Sequence, residues 1–204
     1  MTFTTAHMSI SVDGFVAGPH QSVDDPIGRG GMALHRWHLD TDHPGHDVDA
    51  RWTAELLRRR GAYVMGRNMF GPVRGPWSSY DGDWRGWWGD EPPYHAPVFV
   101  LTHHAHPPME MEGGTTFHFV TDGLGAALEA AREAGGGDVD IAGGASAVRQ
   151  ALELGEIDEL TLDIAPVLLG TGERIFGEGV TCRLEAVEAE HSPLATHVRY
   201  RIVR

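Results

Sequence analysis

Apolar and polar residues follow two different periods along this chain, and the two periods alternate from one end to the other. Short runs of apolar or alternating residues predict strands, and apolar residues spaced three or four positions apart predict helices. The alternation favours an α/β fold in a single domain over residues 1–204, with the last two strands as an antiparallel pair. Strands are predicted at 6–12, 62–65, 97–102, 115–121, 138–142, 160–169, 182–189 and 196–203, and helices at 47–60, 124–134 and 146–154.

Two long polar segments, 18–44 and 71–97, interrupt this pattern. Loops of this length inside a compact domain are usually functional or mobile. Residues 35–47 are rich in His and Asp, but their spacing matches no known metal site, so no metal is predicted.

Aromatic rings in the second segment, 71–97, either fix the loop to the protein body, or stack on a planar substrate or a second copy of the chain. The tryptophans of this cluster, within 77–88, are Trp77, Trp84, Trp87 and Trp88.

The charge balance narrows the classes of partner. The 204 residues include 16 Lys and Arg against 29 Asp and Glu, which gives a formal net charge of −13. This charge disfavours non-specific binding to nucleic acid or to anionic membranes, because both require a positive surface. An anionic small molecule would have to be held by backbone amides and a few arginines.

The chain contains one cysteine, Cys182, which excludes an intramolecular disulfide. Its place in a predicted strand indicates a buried, structural residue. No basic region followed by an apolar run opens the sequence, and no apolar run reaches about 18 residues, so neither a signal peptide nor a membrane span is expected. A cytoplasmic location is expected, since reducing compartments suit a chain without disulfides.

Three predicted strands end in residues that suit phosphate binding. The strand at 138–142 leads into Gly143-Gly144 and a helix, and the free amides at a helix start bind anions. The strand at 62–65 leads into Gly66-Arg67-Asn68, and arginine makes bidentate phosphate contacts. The third segment is LTHH, residues 101–104. Because open α/β sheets bind ligands beyond the carboxyl ends of their strands, the three segments are expected to form one site.

No G-x-G-x-x-G turn follows a predicted strand, which argues against the common dinucleotide-binding fold. The ordered motifs instead resemble the dihydrofolate reductase superfamily, and more closely its branch with the reductase domain of riboflavin biosynthesis. The resemblance implies three layers: a central, mostly parallel sheet with an antiparallel C-terminal strand pair, and helices on both faces. It rests on MSISVDGFVAG (8–18), YVMGRNMF (63–70), PVFVLTHH (97–104), DIAGGASAVRQAL (140–152) and ELTLDIAPVLLGTGERIF (159–176).

The resemblance implies NADPH as the cofactor, bound across the carboxyl ends of the strands. The segment near the adenosine phosphates is matched by Gly66, Arg67 and Asn68. The loop around the adenosine ribose and its 2′-phosphate is matched by Leu101, Thr102, His103 and His104. The turn and helix start that hold the pyrophosphate, with a cis bond between two glycines, are matched by Gly143, Gly144, Ala145, Ser146 and Ala147. The mobile loop over the nicotinamide is matched by Val16, Ala17 and Gly18.

The implied activity is hydride transfer from NADPH to a small heterocyclic or carbonyl substrate, in a homodimer. Two alternatives stay open: a stand-alone pyrimidine reductase of the riboflavin pathway, and a module that binds NADP(H) without turnover. The zinc deaminase signatures that accompany the riboflavin reductase are absent from the sequence.

Folate reductases carry a carboxylate early in their first helix, and Asp49 is the nearest match and the one candidate catalytic residue. A helix N-cap is the favoured interpretation of Asp49. A threonine supports the carboxylate in folate reductases, and the alignment places Leu162 or Asp163 there. This departure argues against folate as the substrate.

Asp13, in a Ser-x-Asp-Gly turn, is expected to have a structural role.

Overall fold

The computed structural model describes residues 2–71, 74–79, 84–177 and 179–204, and its strands and helices alternate as the sequence predicts. The strands are β1 (Thr4–Ser11), β2 (Phe15–Ala17), β3 (Ala62–Gly66), β4 (Pro97–Leu101), β5 (Met109–Glu110), β6 (Thr116–Val120), β7 (Val139–Gly143), β8 (Glu159–Ala165), β9 (Glu173–Arg174), β10 (Arg183–His191) and β11 (Thr196–Val203). The α-helices are α1 (Arg36–Leu39), α2 (His46–Leu56), α3 (Arg67–Phe70), α4 (Gly123–Ala134) and α5 (Ala145–Glu153). Shorter 3₁₀ turns lie at Gly31–His35, Trp77–Ser79 and Glu112–Gly114.

Nine strands form one sheet in the order β10-β11-β8-β1-β7-β3-β4-β6-β5. The six strands from β8 to β6 in this order run parallel to one another. The outer strands β11, β10 and β5 pair antiparallel with their neighbours, and β2 pairs with β9 in a separate ribbon. The predicted fold class is therefore confirmed: a mostly parallel sheet of the dihydrofolate reductase type with an antiparallel C-terminal pair.

The two faces of the sheet differ in chemistry because residues alternate along its central strands. Along β1, Ala6, Met8 and Ile10 belong to the main apolar core, where they pack with residues of α4 and α5. His7 and Ser9 point to the opposite face, because successive side chains of a strand face opposite ways. By contrast, β4 (PVFVL) is apolar throughout, with Val98, Phe99 and Val100 buried, as expected for a strand covered on both faces.

The opposite face carries two smaller apolar clusters. One contains Trp37 of α1, Trp52 of α2 and Ala195, and the other contains Phe70 and Phe117 together with further residues of β3 and β4. These clusters cover the two ends of this face. The polar side chains of β1 and β7 lie between them and form the floor of a cavity.

The segment 18–44 differs from the unstructured loop that the sequence predicts. It folds into the Gly31–His35 turn and α1, and buried Trp37 donates a hydrogen bond from Nε1 to Ser9 Oγ over 2.9 Å. Gly28 has a φ of +76°, and a Cβ there would lie 2.3 Å from the carbonyl oxygen of Gly18. Only glycine allows the backbone at residue 28 to approach Gly18 so closely.

Three further predictions need correction at the ends of elements. The helix predicted at 47–60 ends at Leu56, so Arg58–Arg60 follow it rather than closing its last turn. The strand predicted at 160–169 ends at Ala165, because Pro166 cannot donate the next backbone hydrogen bond. Cys182 is exposed just before β10, which is an edge strand, so the prediction of a buried cysteine is wrong.

Among the described helices, none is long and apolar enough to cross a bilayer.

Candidate functional site

A cavity of about 1190 Å³ opens beside the carboxyl ends of β3, β4 and β7, which are neighbours in the sheet. It has two chemically different parts. The strand-tip half consists of Gly66–Asn68, Leu101–His104 and Gly143–Ala147. The floor half consists of His7, Ser9, His35, His38 and Asp140.

The structure brings the predicted phosphate-binding segments to this one cavity. All the residues named for cofactor binding line it except Ala17 and Gly18; of the nicotinamide loop, Val16 alone does so. Ala17 is buried, and Gly18 donates its backbone N–H to the carbonyl oxygen of Ile27 over 2.8 Å. A Cβ on Gly18 would lie 2.1 Å from the carbonyl oxygen of Arg29. Gly18 therefore packs against its own loop rather than facing the cavity.

The start of α5 presents free backbone amides to the cavity. Gly144 is the N-cap of this helix, no side chain caps it, and the bond between Gly143 and Gly144 is cis, as the resemblance implies. The amides of Ala147 and Val148 donate to the Gly144 carbonyl oxygen. The preceding amides, of Ala145 and Ser146, have no intrahelical acceptor, because the first turn of a helix lacks one. A Cβ built on Gly144 meets no other atom within 4 Å, so open space lies in front of these amides.

Arg67 connects two of the strand tips. Its Nη1 donates to Thr102 Oγ1 over 3.0 Å, and its guanidinium lies over the Trp77 ring, 3.1 Å from the ring centre. The Nε and Nη2 groups are shielded from solvent and have no hydrogen-bond acceptor among the described residues. Burial lowers the pKa of Arg67 to about 10, which still leaves the side chain charged at neutral pH. A phosphate at this edge would provide the acceptors that the protein does not.

Behind the floor half, buried polar side chains of β1, β8 and β11 lie side by side. Ser9 pairs with Asp163 in the register of β1 and β8, and Asp163 pairs with His197 in the register of β8 and β11. Asp163 Oδ2 is 2.8 Å from His7 Nε2, and Asp163 Oδ1 is 2.7 Å from His197 Nδ1. His197 Nε2 in turn lies 2.8 Å from Asp49 Oδ1. Four side chains thus form a continuous hydrogen-bonded network, His7–Asp163–His197–Asp49, and only His7 reaches the cavity.

This network is charged although it is buried. Burial opposes charge on His197, but hydrogen bonds and charges from Asp163 and Asp49 outweigh burial and raise the pKa of His197. For Asp163 burial also opposes the charge, but nearby His7 and His197 outweigh it and lower the pKa of this carboxyl. The Trp52 ring stacks on the His197 ring at 5.1 Å between centres and 9° between planes, a geometry that favours a cationic imidazole.

His43 lies at the outer end of the network, beyond Asp49. Its Nε2 is 3.1 Å from Asp49 Oδ2, within ion-pair distance. Both atoms are buried, and neither has a hydrogen-bond partner among the described residues. We therefore treat His43 as an electrostatic neighbour of Asp49 and not as a hydrogen-bonded member of the network.

Asp49 is not the N-cap that the sequence favours. Gly45, with a φ of +91°, takes that position, and Asp49 lies inside the first turn of α2 with no exposed surface. Nor does Asp49 line the cavity, so it has no direct access to a ligand there. The alignment leaves Leu162 or Asp163 in place of the supporting threonine, and of these two it is Asp163 that is joined to Asp49, through His197.

Sequence reasoning missed His7 and His197, although a signal for them exists. In TTAHMSIS, ELTLDIA and THVRYRIV, polar residues occupy every second position, which places His7, Asp163 and His197 on the same side of the sheet. A polar stripe that crosses the buried strands β1 and β8 is unusual and indicates a polar site.

Other titratable groups line the floor near His7. The Nδ1 of His35 is 3.0 Å from Nε2 of His38, and burial lowers the pKa of both rings, that of His35 to about 4. Burial raises the pKa of Asp140, which accepts a hydrogen bond from Thr5 Oγ1 over 2.6 Å. Among the described residues, no group of three or more His, Cys, Asp or Glu side chains is arranged to hold a metal ion.

The tryptophan cluster divides between the two roles that the sequence left open. Trp77 donates from Nε1 to the His104 carbonyl oxygen over 2.8 Å, and Trp84 Nε1 donates to the Phe70 carbonyl oxygen over 3.1 Å. These two rings fix the loop to the sheet. Trp87 and Trp88 instead line the cavity, and Trp88 is 55% exposed. The part of the cluster at 80–83 lies outside the described residues.

Asp13 has the structural role that its turn predicts. It accepts hydrogen bonds from Ser11 Oγ and from the amides of Leu169 and Gly170, so it joins the β1–β2 turn to the segment after β8. The Ser11 hydrogen bond and these amides lower the pKa of Asp13 to about 2.

Comparison with known proteins agrees with this architecture. The family model described as the RibD C-terminal domain matches residues 2–198. A provisionally named riboflavin biosynthesis protein from Shewanella sp. PV-4 has a solved structure that is 25% identical, with a TM-score of 0.67 and 100% coverage of both chains. A search of curated protein sequences finds no match.

Two more distant solved structures share the fold. A pyrimidine reductase-like protein from Corynebacterium diphtheriae is 21% identical, with a TM-score of 0.58 over 100% of this chain and 92% of the other. A diaminohydroxyphosphoribosylaminopyrimidine deaminase/5-amino-6-(5-phosphoribosylamino)uracil reductase from Thermotoga maritima is 14% identical, with a TM-score of 0.61 over 99% of this chain and 57% of the other.

The sheet order and the cleft at its strand tips define a protein of the dihydrofolate reductase fold, in the branch of the riboflavin biosynthesis reductases. The chain belongs to the RibD C-terminal domain family, since the family model covers nearly its whole length.

Proposed function

We propose that this protein is an NADPH-dependent reductase that transfers a hydride to a C=N or C=O bond of a small heterocycle. The class of substrate that the family supports best is a pyrimidine of the riboflavin pathway, reduced by a stand-alone enzyme. One observation carries the proposal: the free amides of α5, the Arg67 guanidinium and the 101–104 segment meet at one edge of a single cavity.

The strand-tip half fits a phosphorylated dinucleotide. The amides of Ala145 and Ser146, at the positive end of the helix dipole, would hold the pyrophosphate in the space that a Cβ on Gly144 would fill. Arg67, with two N–H groups that lack acceptors, would hold a phosphate at the adenosine end. When bound, NADPH would supply the hydride, and the protein would supply orientation, exclusion of water and a proton.

The floor half fits a flat, polar ring. Trp87, Trp88 and Tyr94 provide aromatic walls on which a heterocycle can stack. His7 and Asp140 provide polar groups at the floor, where the hydrogen-bonding edge of such a ring would lie. Among the described residues that line the cavity, the arginines are Arg67 and Arg74.

The resemblance also supports a homodimer that acts on a small molecule, and a chain without an intramolecular disulfide suits the cytoplasm. These properties stay predictions, as does the organisation of residues 1–204 as one domain.

The proposed activity is tested by calorimetry with NADPH and NADH, followed by NADPH oxidation in the presence of 5-amino-6-(5-phosphoribosylamino)uracil, pterins, flavins and simple carbonyl compounds. We expect NADPH to bind and to be oxidised with the pyrimidine. The Arg67→Ala variant should weaken NADPH binding roughly 10- to 100-fold, since a hydrogen bond to a charged group contributes about 1.5–3 kcal/mol. NADH, which lacks the 2′-phosphate, should lose much less affinity.

Arg67→Lys is the matched control because it keeps the charge but loses the planar pair of donors. We expect it to show an intermediate loss. Equal weakening of NADPH and NADH in Arg67→Ala would remove Arg67 from the 2′-phosphate site. Tight NADPH binding without oxidation across the whole panel would show that the protein is a binding module and not a reductase.

A further inference from the structure

We propose that His7 is the catalytic acid of this reductase, and that Asp163, His197 and Asp49 are positioning residues that orient its ring. The inference rests on the proposed function, because a hydride transfer to a C=N or C=O bond also requires a proton. It assigns that proton to Nδ1 of His7, the one member of the buried network that lines the cavity.

The two ring nitrogens of His7 have different surroundings: Nε2 faces the buried network, and Nδ1 is left for a ligand. Nε2 lies 2.8 Å from Asp163 Oδ2, and Asp163 is a carboxylate whose lowered pKa keeps it ionised, so Nε2 must carry the proton and donate it. None of the described residues makes a hydrogen bond to Nδ1 of His7. The side chain is 5% exposed, and it faces the cavity. Nδ1 is therefore the nitrogen that a bound substrate would meet.

The network behind His7 balances a positive charge on it. His197 has both ring nitrogens against carboxylate oxygens, at 2.7 Å and 2.8 Å, so both nitrogens carry protons and the ring is a cation. Two carboxylates and one imidazolium leave one net negative charge in the four-residue network. A proton bound at Nδ1 of His7 would cancel this charge. The arrangement is that of a histidine oriented by a buried carboxylate, as in hydrolytic triads, here extended by two further residues.

Several charged or titratable groups lie around His7, and some of them are alternative proton donors. Asp163 approaches from β8, Asp140 from β7, His38 from α1 and His35 from the turn before α1. His35 and His38 are poor acids because burial keeps both rings neutral. Asp140 is the competing donor, since burial raises the pKa of its carboxyl. Its hydrogen-bond partner is the Thr5 hydroxyl, and the nearby charges of Arg60 and Arg58 favour its ionised form, which has no proton to give.

Reduction places a hydride and a proton on the two atoms of one double bond. The substrate carbon accepts the hydride supplied by NADPH, which is oxidised to NADP⁺, and the π electrons of the C=N or C=O bond move to the nitrogen or oxygen. That atom takes the proton from Nδ1 of His7. His7 is left neutral, with its remaining proton on Nε2 and donated to Asp163. Water that enters the cavity after the product leaves returns the proton to Nδ1.

The test uses single-turnover oxidation of NADPH by the full-length protein, with 5-amino-6-(5-phosphoribosylamino)uracil as the probe, and compares wild type with His7→Gln and Asp140→Asn. General acid catalysis typically contributes about 10²–10⁴-fold, so His7→Gln should slow oxidation at least about 100-fold. NADPH affinity, measured by calorimetry, should stay within about twofold in both variants, because neither residue belongs to the strand-tip half. His7→Ala, which leaves space open to the cavity, should regain part of its rate when free imidazole is added.

A second readout does not depend on turnover. In protein labelled with ¹⁵N-histidine, NMR should show both nitrogens of His197 protonated at pH 7, and the His7 proton on Nε2 when the ring is neutral. In Asp163→Asn, this preference of His7 for the Nε2 proton should be lost, because an amide can donate to the ring as well as accept from it.

The outcomes separate this inference from the function on which it rests. A wild-type protein that binds NADPH and never oxidises it overturns the reductase proposal, and the proton donor with it, before any variant is compared. An active wild type in which Asp140→Asn loses the rate and His7→Gln keeps it assigns the proton to Asp140. A neutral His7 that carries its proton on Nδ1 contradicts the orientation of the ring. Imidazole rescue with intact NADPH affinity supports His7 as the acid.

Discussion

Gly144→Val should remove measurable binding of both NADPH and NADH while the fold persists. The backbone φ at Gly144 is −76°, which valine adopts, and a Cβ there meets no other atom within 4 Å. The valine side chain would therefore fill the open space in front of the first amides of α5, where we propose that the pyrophosphate lies. We expect the dissociation constant to rise at least about 100-fold, equivalent to about 2.7 kcal/mol.

Gly136→Val is the matched control for this experiment. Gly136 is exposed, has the same open surroundings for a Cβ, and does not line the cavity. It should bind both nucleotides as the wild type does, and Gly144→Ala should show a smaller loss than Gly144→Val. Calorimetry gives the affinities, and a thermal melt shows that each variant is folded. A folded Gly144→Val protein with wild-type affinity for NADPH would contradict the placement of the pyrophosphate.

Asp49→Ala should be one of the most destabilising substitutions in the chain. Removal of this carboxylate leaves the fully buried His197 Nε2 without its acceptor and also removes the charge beside His43. Removal of one partner from a buried ion pair costs about 3–5 kcal/mol. A helix N-cap, the role that the sequence favours for Asp49, would be worth about 1 kcal/mol, so the measurement distinguishes the two roles.

The matched control is Asp47→Ala, an exposed acidic residue in the same first turn of α2. We expect the free energy of unfolding of this control to change by about 0.5 kcal/mol or less. Urea denaturation at pH 6 compares the two variants with the wild type, and Asp49→Asn serves as a milder replacement should the alanine variant fail to fold. An Asp49→Ala protein no less stable than Asp47→Ala would show that the network contributes nothing.

The effect of Asp49→Ala should also depend on pH. Asp163 and Asp49 raise the pKa of His197 against the opposing effect of burial. The contribution of His197 to the free energy of unfolding is therefore complete when the pH is below the ordinary pKa of histidine, and it is lost as the pH rises through the raised pKa. The pKa of Asp163 is lowered, so its contribution to the free energy of unfolding is lost as the pH falls through the lowered pKa. The network should therefore stabilise the protein most between about pH 4 and pH 6.5. The stability difference between wild type and Asp49→Ala should be larger at pH 6 than at pH 9.

Local patterns in the sequence predicted eight of the nine strands of the main sheet and the strand-tip half of the cavity, but not the short strands β2, β5 and β9. Gly66-Arg67-Asn68, 101–104 and 143–147 each follow a buried strand, and parallel strands bring their carboxyl ends to one edge, so the convergence follows from the pattern. The element ends were less accurate, because Gly45 and Pro166 decide where α2 begins and β8 ends.

The buried network behind the floor half was missed because it depends on contacts between distant residues. His7, Asp163 and His197 are far apart in the chain, and only the strand register of β1, β8 and β11 brings them together. Asp49 was found but misassigned, since a local cap and a buried ion pair look the same in a sequence. Ala17 and Gly18 were placed at the cavity by resemblance, whereas the approach of Gly28 turns this part of the loop away.

The most direct test of the central claim is a crystal structure of the complex with NADPH. We expect the pyrophosphate within hydrogen-bond distance of the amides of Ala145 and Ser146, the adenosine end beside Arg67, and the nicotinamide ring above the floor that contains His7. A nucleotide bound with its pyrophosphate away from Gly143–Ala147, or no nucleotide in this cavity at saturating concentration, would contradict the account.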